Sequence, residues 1–126
     1  MRILLIEPDL VQAKTYAHVL KKDGHIVDLA VSAQGAVHTA DAHKPDVVVL
    51  ELQLPHHNGV EFLYEFRSYP EWLDIPVIIH SFVPLAELAH TATLTTELGV
   101  MRCLYKPETT LAALASAVRS LEPAVQ

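Results

Sequence analysis

Apolar residues recur along this chain in two patterns that take turns. One is the short unbroken run: Ile3-Leu4-Leu5-Ile6, Val47-Val48-Val49-Leu50 and Val77-Ile78-Ile79. Runs of this length, bounded by turn residues, read as strands buried on both faces of a sheet. The other is helical spacing, as in Leu10, Ala13, Ala17 and Leu20, or Leu111, Leu114, Ala115, Val118 and Leu121. In chain order the pattern predicts a first strand over Arg2–Ile6, then a helix from the N-cap Asp9 to about Lys22. Lys21 and Lys22 suit the negative end of that helix, and Gly24 stops it. A second strand is predicted over 26–31. Ser32 caps a second helix with Ala33, Ala36, Val37 and Ala40 inward, and Pro45 ends it. The third strand follows, and then Asn58 caps a third helix carrying Val60, Phe62, Leu63 and Phe66, which Pro70 ends. A fourth strand is predicted over 75–81, with a proline tolerated near its start. Pro84 opens a fourth helix with Leu85, Leu88, Ala89, Ala92, Thr95 and Thr96 along one side, and Gly99 stops it. Residues 102–105 predict a short fifth strand before the last helix.

Five strands alternating with five helices imply right-handed crossovers and one parallel sheet covered on both faces. The chain has 126 residues. Residues 1–121 are expected to form a single domain, with 122–126 a short tail. Half of the residues are hydrophobic, which excludes a disordered chain. The net charge of -6 argues against a nucleic-acid partner. The one cysteine, Cys103, excludes an internal disulfide and reads as a small buried hydrophobe. No apolar run approaches the roughly 18 residues of a membrane span. The apolar run after Met1-Arg2 is too short for a secretory signal, so a cytoplasmic protein without a membrane partner is expected.

The chemistry gathers at the strand ends. Glu7 and Asp9 follow the first strand, Glu51 the third, Ser81 the fourth and Lys106 the fifth. In an open α/β sheet the carboxyl ends of the strands are where ligands bind. A hydroxyl and an ammonium flanking a carboxylate form a set suited to a phosphoryl group.

These segments resemble the response-regulator receiver domain along essentially the whole chain. Ile3-Leu4-Leu5-Ile6-Glu7-Pro8-Asp9 resembles the family's first strand and acidic loop. Pro45 to Pro55 with Asn58-Gly59 resembles the phosphoacceptor segment, Ile75-Pro76-Val77-Ile78 with Ser81 the fourth strand and its hydroxyl, and Lys106-Pro107 the family's lysine and a proline that is commonly cis. The resemblance implies an α/β, flavodoxin-like (CheY-like), doubly wound five-stranded parallel sheet in the order 2-1-3-4-5 with five helices. It also implies an aspartate at position 51 that takes a phosphoryl group from a histidine kinase, with Mg²⁺ held by that aspartate and by the acidic pair.

Three positions depart from this pattern. Glu51 replaces the acceptor aspartate, Pro8 the second acid of the pair, and Cys103 the switch aromatic. Pro8 offers no side-chain oxygen to a metal that demands near-ideal octahedral geometry. The extra methylene of Glu51 displaces its carboxylate by about 1.5 Å, and a misplacement of about 1 Å can cost on the order of a hundredfold. Glu51, Glu7, Pro8, Asp9, Ser81 and Lys106 are therefore expected to form a degenerate phosphoacceptor site. Cys103 stands at the switch position, no catalytic residue or cofactor is expected, and Mg²⁺ binding is weak or lost. A Glu51–Lys106 ion pair would hold the site without metal.

The expected function is a phosphorylation-independent receiver, not an enzyme, acting through protein partners of a two-component-type pathway. The face of the fourth helix, fifth strand and fifth helix is the expected contact or homodimer surface. Two alternatives remain open. One is a working receiver with Glu7 and Asp9 on the metal and His56 or His57 as acceptor. The other is a metal or pH sensor built on His56, His57 and His80. Trp72 is expected to pack over the third helix and fourth strand.

Overall fold

The computed structural model describes residues 1–84, 86 and 91–123. The elements run β1 (Arg2–Ile6), α1 (Leu10–Lys22), β2 (Ile26–Ala30), α2 (Ala33–Ala42), β3 (Val47–Leu50), the short β4 (Gln53–Leu54) and β5 (His57–Asn58), α3 (Gly59–Arg67), β6 (Val77–Ser81), α4 (Thr91–Thr96), β7 (Val100–Tyr105) and α5 (Leu111–Arg119). The main sheet is parallel throughout in the order β2-β1-β3-β6-β7. Counting its five strands along the chain gives 2-1-3-4-5, and the described residues hold five α-helices. β4 and β5 form a two-stranded antiparallel ribbon between β3 and α3.

Four of the helices start where a polar side chain accepts an otherwise unpaired backbone N–H. Asp9 accepts from Gln12, Ser32 from Gly35, Asn58 from Glu61 and Thr110 from Ala113. Two cores flank the sheet. Leu4, Ile6, Val48, Leu50, Val77 and Ile79 face α2, α3 and α4, with Phe62, Leu63, Phe66 and Trp72 above them. Ile3, Leu5, Val47, Val49 and Ile78 face α1 and α5. Alternate residues of each strand supply opposite cores, as the pleat requires.

Several expectations need correction. Leu10 and Leu111 were placed on buried stripes but are exposed, at 57% and 40%. Both are the first residue of their helix, and neither joins either core. The second strand ends at Ala30, and the fourth begins at Val77, although Ile75 is buried ahead of it. The fifth begins two residues early, at Val100, where pairing with β6 passes through a register shift. The expected positions Leu85, Leu88 and Ala89 of the fourth helix lie outside the described residues. Leu94 in α4 and Leu98 in the turn after it are buried. The Lys106–Pro107 bond is trans, and Pro107 lies in a 3-10 turn over Lys106–Glu108.

Trp72 packs as expected. Its ring stacks on Phe66 at 4.9 Å and meets Tyr69 at 4.7 Å. Arg67 locks this corner. Its guanidinium donates to the carbonyls of Leu98 at 2.9 Å, Trp72 at 2.6 Å, Ile75 at 2.6 Å and Leu73 at 3.3 Å. Gly99 lies against it with a φ of 66°, and a Cβ there would stand 2.5 Å from an Arg67 nitrogen. Arg67 thus ties the end of α3 to the turn that launches β7. Charge-assisted bonds are the strong ones, and buried carbonyls left without a donor are costly. Arg67→Met is therefore expected to lower unfolding stability in urea by roughly 2–4 kcal/mol. A loss below about 0.5 kcal/mol, the usual size for an indifferent surface change, would show that these bonds are dispensable.

Candidate functional site

The register of the sheet decides what meets at its edge. Ile6 pairs with Leu50, Leu50 with Ile79, and Ser81 with Tyr105. Glu7, Glu51, Ser81 and Lys106 therefore emerge side by side from four neighbouring strands. The peptide N–H of Glu51 donates to Ile6 and that of Glu7 to Ala30, which fixes both backbones. All four side chains are buried, none being more than 8% exposed as a residue. The expectation that Glu51 emerges at the edge is met by its backbone, but its carboxylate is covered.

Lys106 is the centre of the group. Its Nζ donates to Glu7 Oε1 at 2.5 Å and to Glu51 Oε1 at 2.8 Å. The second oxygen of each glutamate is also engaged. Glu51 Oε2 accepts from the Ser81 hydroxyl and from the Gln53 N–H at 3.1 Å. Glu7 Oε2 accepts from the Asp9 N–H at 3.1 Å. Ser81 Oγ in turn accepts from the Val83 N–H at 3.1 Å. Every carboxylate oxygen of the pair has a donor, which is what buried charges require.

The electrostatics follow from these contacts. Burial alone would raise the Glu51 carboxyl, but the bonds from Lys106, Ser81 and Gln53 outweigh it and hold the group below its ordinary value. Burial would likewise lower the Lys106 ammonium, yet the bonds and charges of Glu51 and Glu7 raise it. Both groups are ionised at neutral pH. Two rings flank the ammonium, with centroids 4.8 Å away for Phe82 and 5.7 Å for Tyr16. Tyr16 also meets the buried ring of His80 edge-on at 4.7 Å. Burial and the nearby Lys106 push His80 down to about 4, so it is neutral in the folded protein.

Some residues of the expected site stand apart from this cluster. Pro8 presents no donor or acceptor side chain. The Asp9 carboxylate caps α1, accepting from Gln12 N–H at 3.0 Å and Nε2 at 3.3 Å, and feels the Lys106 charge without bonding to it. Cys103 pairs in register with Ile79 and packs, partly buried, against the α2–α4 core. Burial pushes its thiol up, so it is a thiol and not a thiolate. His56 and His57 lie exposed in the β4–β5 ribbon, with His57 Nδ1 3.6 Å from Glu61. His80 faces α1 on the other side of the sheet, so the three histidines are not brought together. Among the described residues no group of three or more His, Cys, Asp or Glu side chains is placed to hold a metal ion.

Mg²⁺, which the resemblance implies for active members, does not fit this donor set. An ammonium stands between the two carboxylates, both outer oxygens are engaged by N–H or O–H donors, and Pro8 supplies no third ligand. Two contributors escaped the sequence reading. Phe82 immediately follows Ser81 in the chain, and Tyr16 lies four residues before the buried Leu20 on the inner side of α1, so position alone could have pointed to both.

The profile of the response regulator receiver domain matches residues 3–119. Among curated proteins, the transcriptional regulatory protein PdtaR of Mycobacterium tuberculosis is 28% identical over 107 residues, 84% of this chain and 49% of that protein. The protein-glutamate methylesterase/protein-glutamine glutaminase of Treponema denticola is 35% identical over 82 residues, 65% of this chain and 21% of that protein. The chain thus spans half or less of the length of these relatives. Two solved structures share the fold. Vibrio cholerae chemotaxis protein CheY4 has a TM-score of 0.84 at 18% identity, covering 96% of this chain and 98% of that one. A CheY-like receiver domain from Methylobacillus flagellatus has a TM-score of 0.82 at 24% identity, covering 97% and 98%.

The buried cluster generates a pH-dependent expectation. Removing the ammonium in Lys106→Met leaves Glu7 and Glu51 facing each other without a cation. Breaking one side of a buried ion pair costs roughly 3–5 kcal/mol, and that loss is expected near pH 7 in denaturant titrations. The native Glu51 carboxyl titrates low, so its contribution is present above about pH 4.5 and fades as pH falls below that. In the variant Glu51 keeps its burial and loses the ammonium that lowers it, so its carboxyl rises and stability gains as pH falls. The gap between the two proteins should therefore narrow as pH falls toward 4. A gap independent of pH would contradict this electrostatic account.

Proposed function

This chain belongs to the response-regulator receiver family, and from that premise we propose a receiver of two-component-type signalling that works without phosphorylation, through protein–protein contact. The observation that carries this reading is the complete engagement of Glu51 by Lys106, Ser81 and Gln53. Phosphoryl transfer depends on positioning and on neutralising charge at the acceptor. Here the carboxylate is one methylene long, closed in by its neighbours and without a metal site beside it. Glu51 fills the place of an acceptor and does not act as one.

The same contacts set the state of the module. The Ser81 hydroxyl is already drawn onto a permanent negative charge. That charge is a single unit, against about -1.5 to -2 for a phosphoryl group. Cys103 offers no ring to follow a movement of Ser81. The domain therefore presents one fixed surface, and control comes from the presence of its partner. It performs no catalysis. The face of α4, β7 and α5, where Met101 is 57% exposed, is the contact surface for a protein partner or a second copy. A receiver using His56 or His57 as acceptor has no supporting observation, because the Asp9 carboxylate is committed to its helix cap.

The test is a titration with Mg²⁺ and beryllofluoride, followed by amide NMR. The native spectrum is expected to stay unmoved while the Pro8→Asp/Glu51→Asp double variant responds at 51, 81 and 106. Saturable Mg²⁺-dependent shifts at Glu51, Ser81 and Lys106 in the native protein would overturn the reading.

A further inference from the structure

A groove runs along the outer side of α2 and α3, on a face that the reading above does not use. It consists of three adjoining depressions. The largest, about 380 Å³, is lined by Gln34, Val37, His38, Asp41, Glu65, Tyr69 and Trp72. A second, about 210 Å³, shares Gln34 and Glu65 with it and adds Glu61 and Phe62. A third, about 280 Å³, shares Gln34 and His57 with the second and reaches Pro55 and His56. The groove thus descends from the ribbon beside the site to the corner held by Arg67.

Its floor is firm. Phe62, Phe66, Trp72 and Tyr69 form a continuous ladder of rings with successive centroids 5.4, 4.9 and 4.7 Å apart. Trp72 and Phe66 are buried, while Tyr69 remains 36% exposed at the lip. A surface that is already ordered loses little conformational freedom when something binds.

Its walls carry one sign of charge. Asp41, Glu61 and Glu65 line it, and no lysine or arginine does. Glu61 is engaged by Asn58 at 3.0 Å and approached by His57. The side chains of Asp41 and Glu65 have no ion pair or hydrogen bond among the described residues, and both are exposed. Aromatic faces beside free carboxylates favour a guanidinium or ammonium, which can be neutralised and stacked at once. The groove is also long enough for a helix. α2 has 10 residues and α3 has 9, or roughly 14–15 Å of length, about three turns.

We propose that this groove docks a basic amphipathic helix of a partner protein. An arginine or lysine of that helix sits between Asp41 and Glu65, and its apolar side lies over Val37 and the exposed ring of Tyr69. This is the helix-in-groove mode, with apolar contact supplying affinity and the carboxylates setting orientation and charge preference. The partner then meets a different face from the α4–β7–α5 surface, so both can be occupied together.

The probe is a synthetic amphipathic helical peptide of about three turns with leucine on one side and arginine flanking it. A second peptide with each arginine replaced by glutamate is the control. Both are titrated into the full chain and followed by amide NMR and by calorimetry. The expected result is a saturable set of shifts confined to α2, α3 and the 69–72 turn, with the control peptide silent. Asp41→Asn/Glu65→Gln, two exposed and isosteric changes, should weaken binding about tenfold or more with an unchanged free spectrum. Shifts spread over the acidic surface, or binding indifferent to the double variant, would reduce the effect to general charge attraction and overturn the proposal. Concentration-dependent broadening of these same residues without peptide would identify a second copy as the occupant and overturn it equally. None of these readouts depends on Mg²⁺ or beryllofluoride, so this proposal and the functional reading can fail separately.

Discussion

Lys106 between Glu7 and Glu51 is the contact on which the rest of this structure turns. An ammonium and two carboxyl groups from the ends of three strands share one buried edge. Burying such groups is expensive unless geometry and extra donors compensate. The compensation comes from the chain itself: the Ser81 hydroxyl and the backbone N–H groups of Asp9 and Gln53. The parallel sheet is what makes this possible, because its register aligns the last residues of β1, β3, β6 and β7 at one edge. The two flanking cores hold that edge in place. The site is therefore a finished ionic structure, complete without a ligand.

That completeness separates the two things a receiver-like site can do. A site built for transfer leaves a carboxylate reachable and surrounds it with ligands for a cation that arrives and leaves. Here the cation is a side chain and cannot leave. Phe82 and Tyr16 flank it, and the neutral ring of His80 backs Tyr16. Each of these makes the ammonium harder to displace. In the function we propose, the domain's information lies in its surface, on the α4–β7–α5 face and along the α2–α3 groove, and not in a change at Glu51.

Much of this was legible in the sequence because it rests on periodicity and local chemistry. Runs such as Val47 to Leu50 have no polar residue and can only be central strands. Asp9, Ser32 and Asn58 cap the helices that their positions foretold. The Glu51–Lys106 pair followed from fold topology and charge. What stayed hidden depended on three-dimensional context. Leu10 and Leu111 fit a helical stripe, yet each is the first residue of its helix and joins neither core. Glu7 was read as a remnant metal ligand, but a lysine 99 positions away claims it. Arg67 gave no signal at all, since its partners are backbone carbonyls that any sequence supplies. Phe82 beside Ser81 and Tyr16 on the inner side of α1 could be placed near the site by position, but their contact with an ammonium came only from the fold. The groove between α2 and α3 joins residues from separate helices, so no local pattern announces it.

The central claim is that Glu51 and Lys106 are a closed, ionised pair in the resting protein. The most direct measurement follows the Glu51 side-chain carboxyl carbon and the Lys106 ammonium by NMR across an acid titration. The account expects the Glu51 carbon to titrate below the ordinary glutamate range, and the Lys106 ammonium protons to exchange slowly enough to be seen and to couple to that carboxylate. A Glu51 carboxyl that titrates at or above the ordinary range, with Lys106 ammonium protons lost to rapid exchange, would mean an open site and would contradict it.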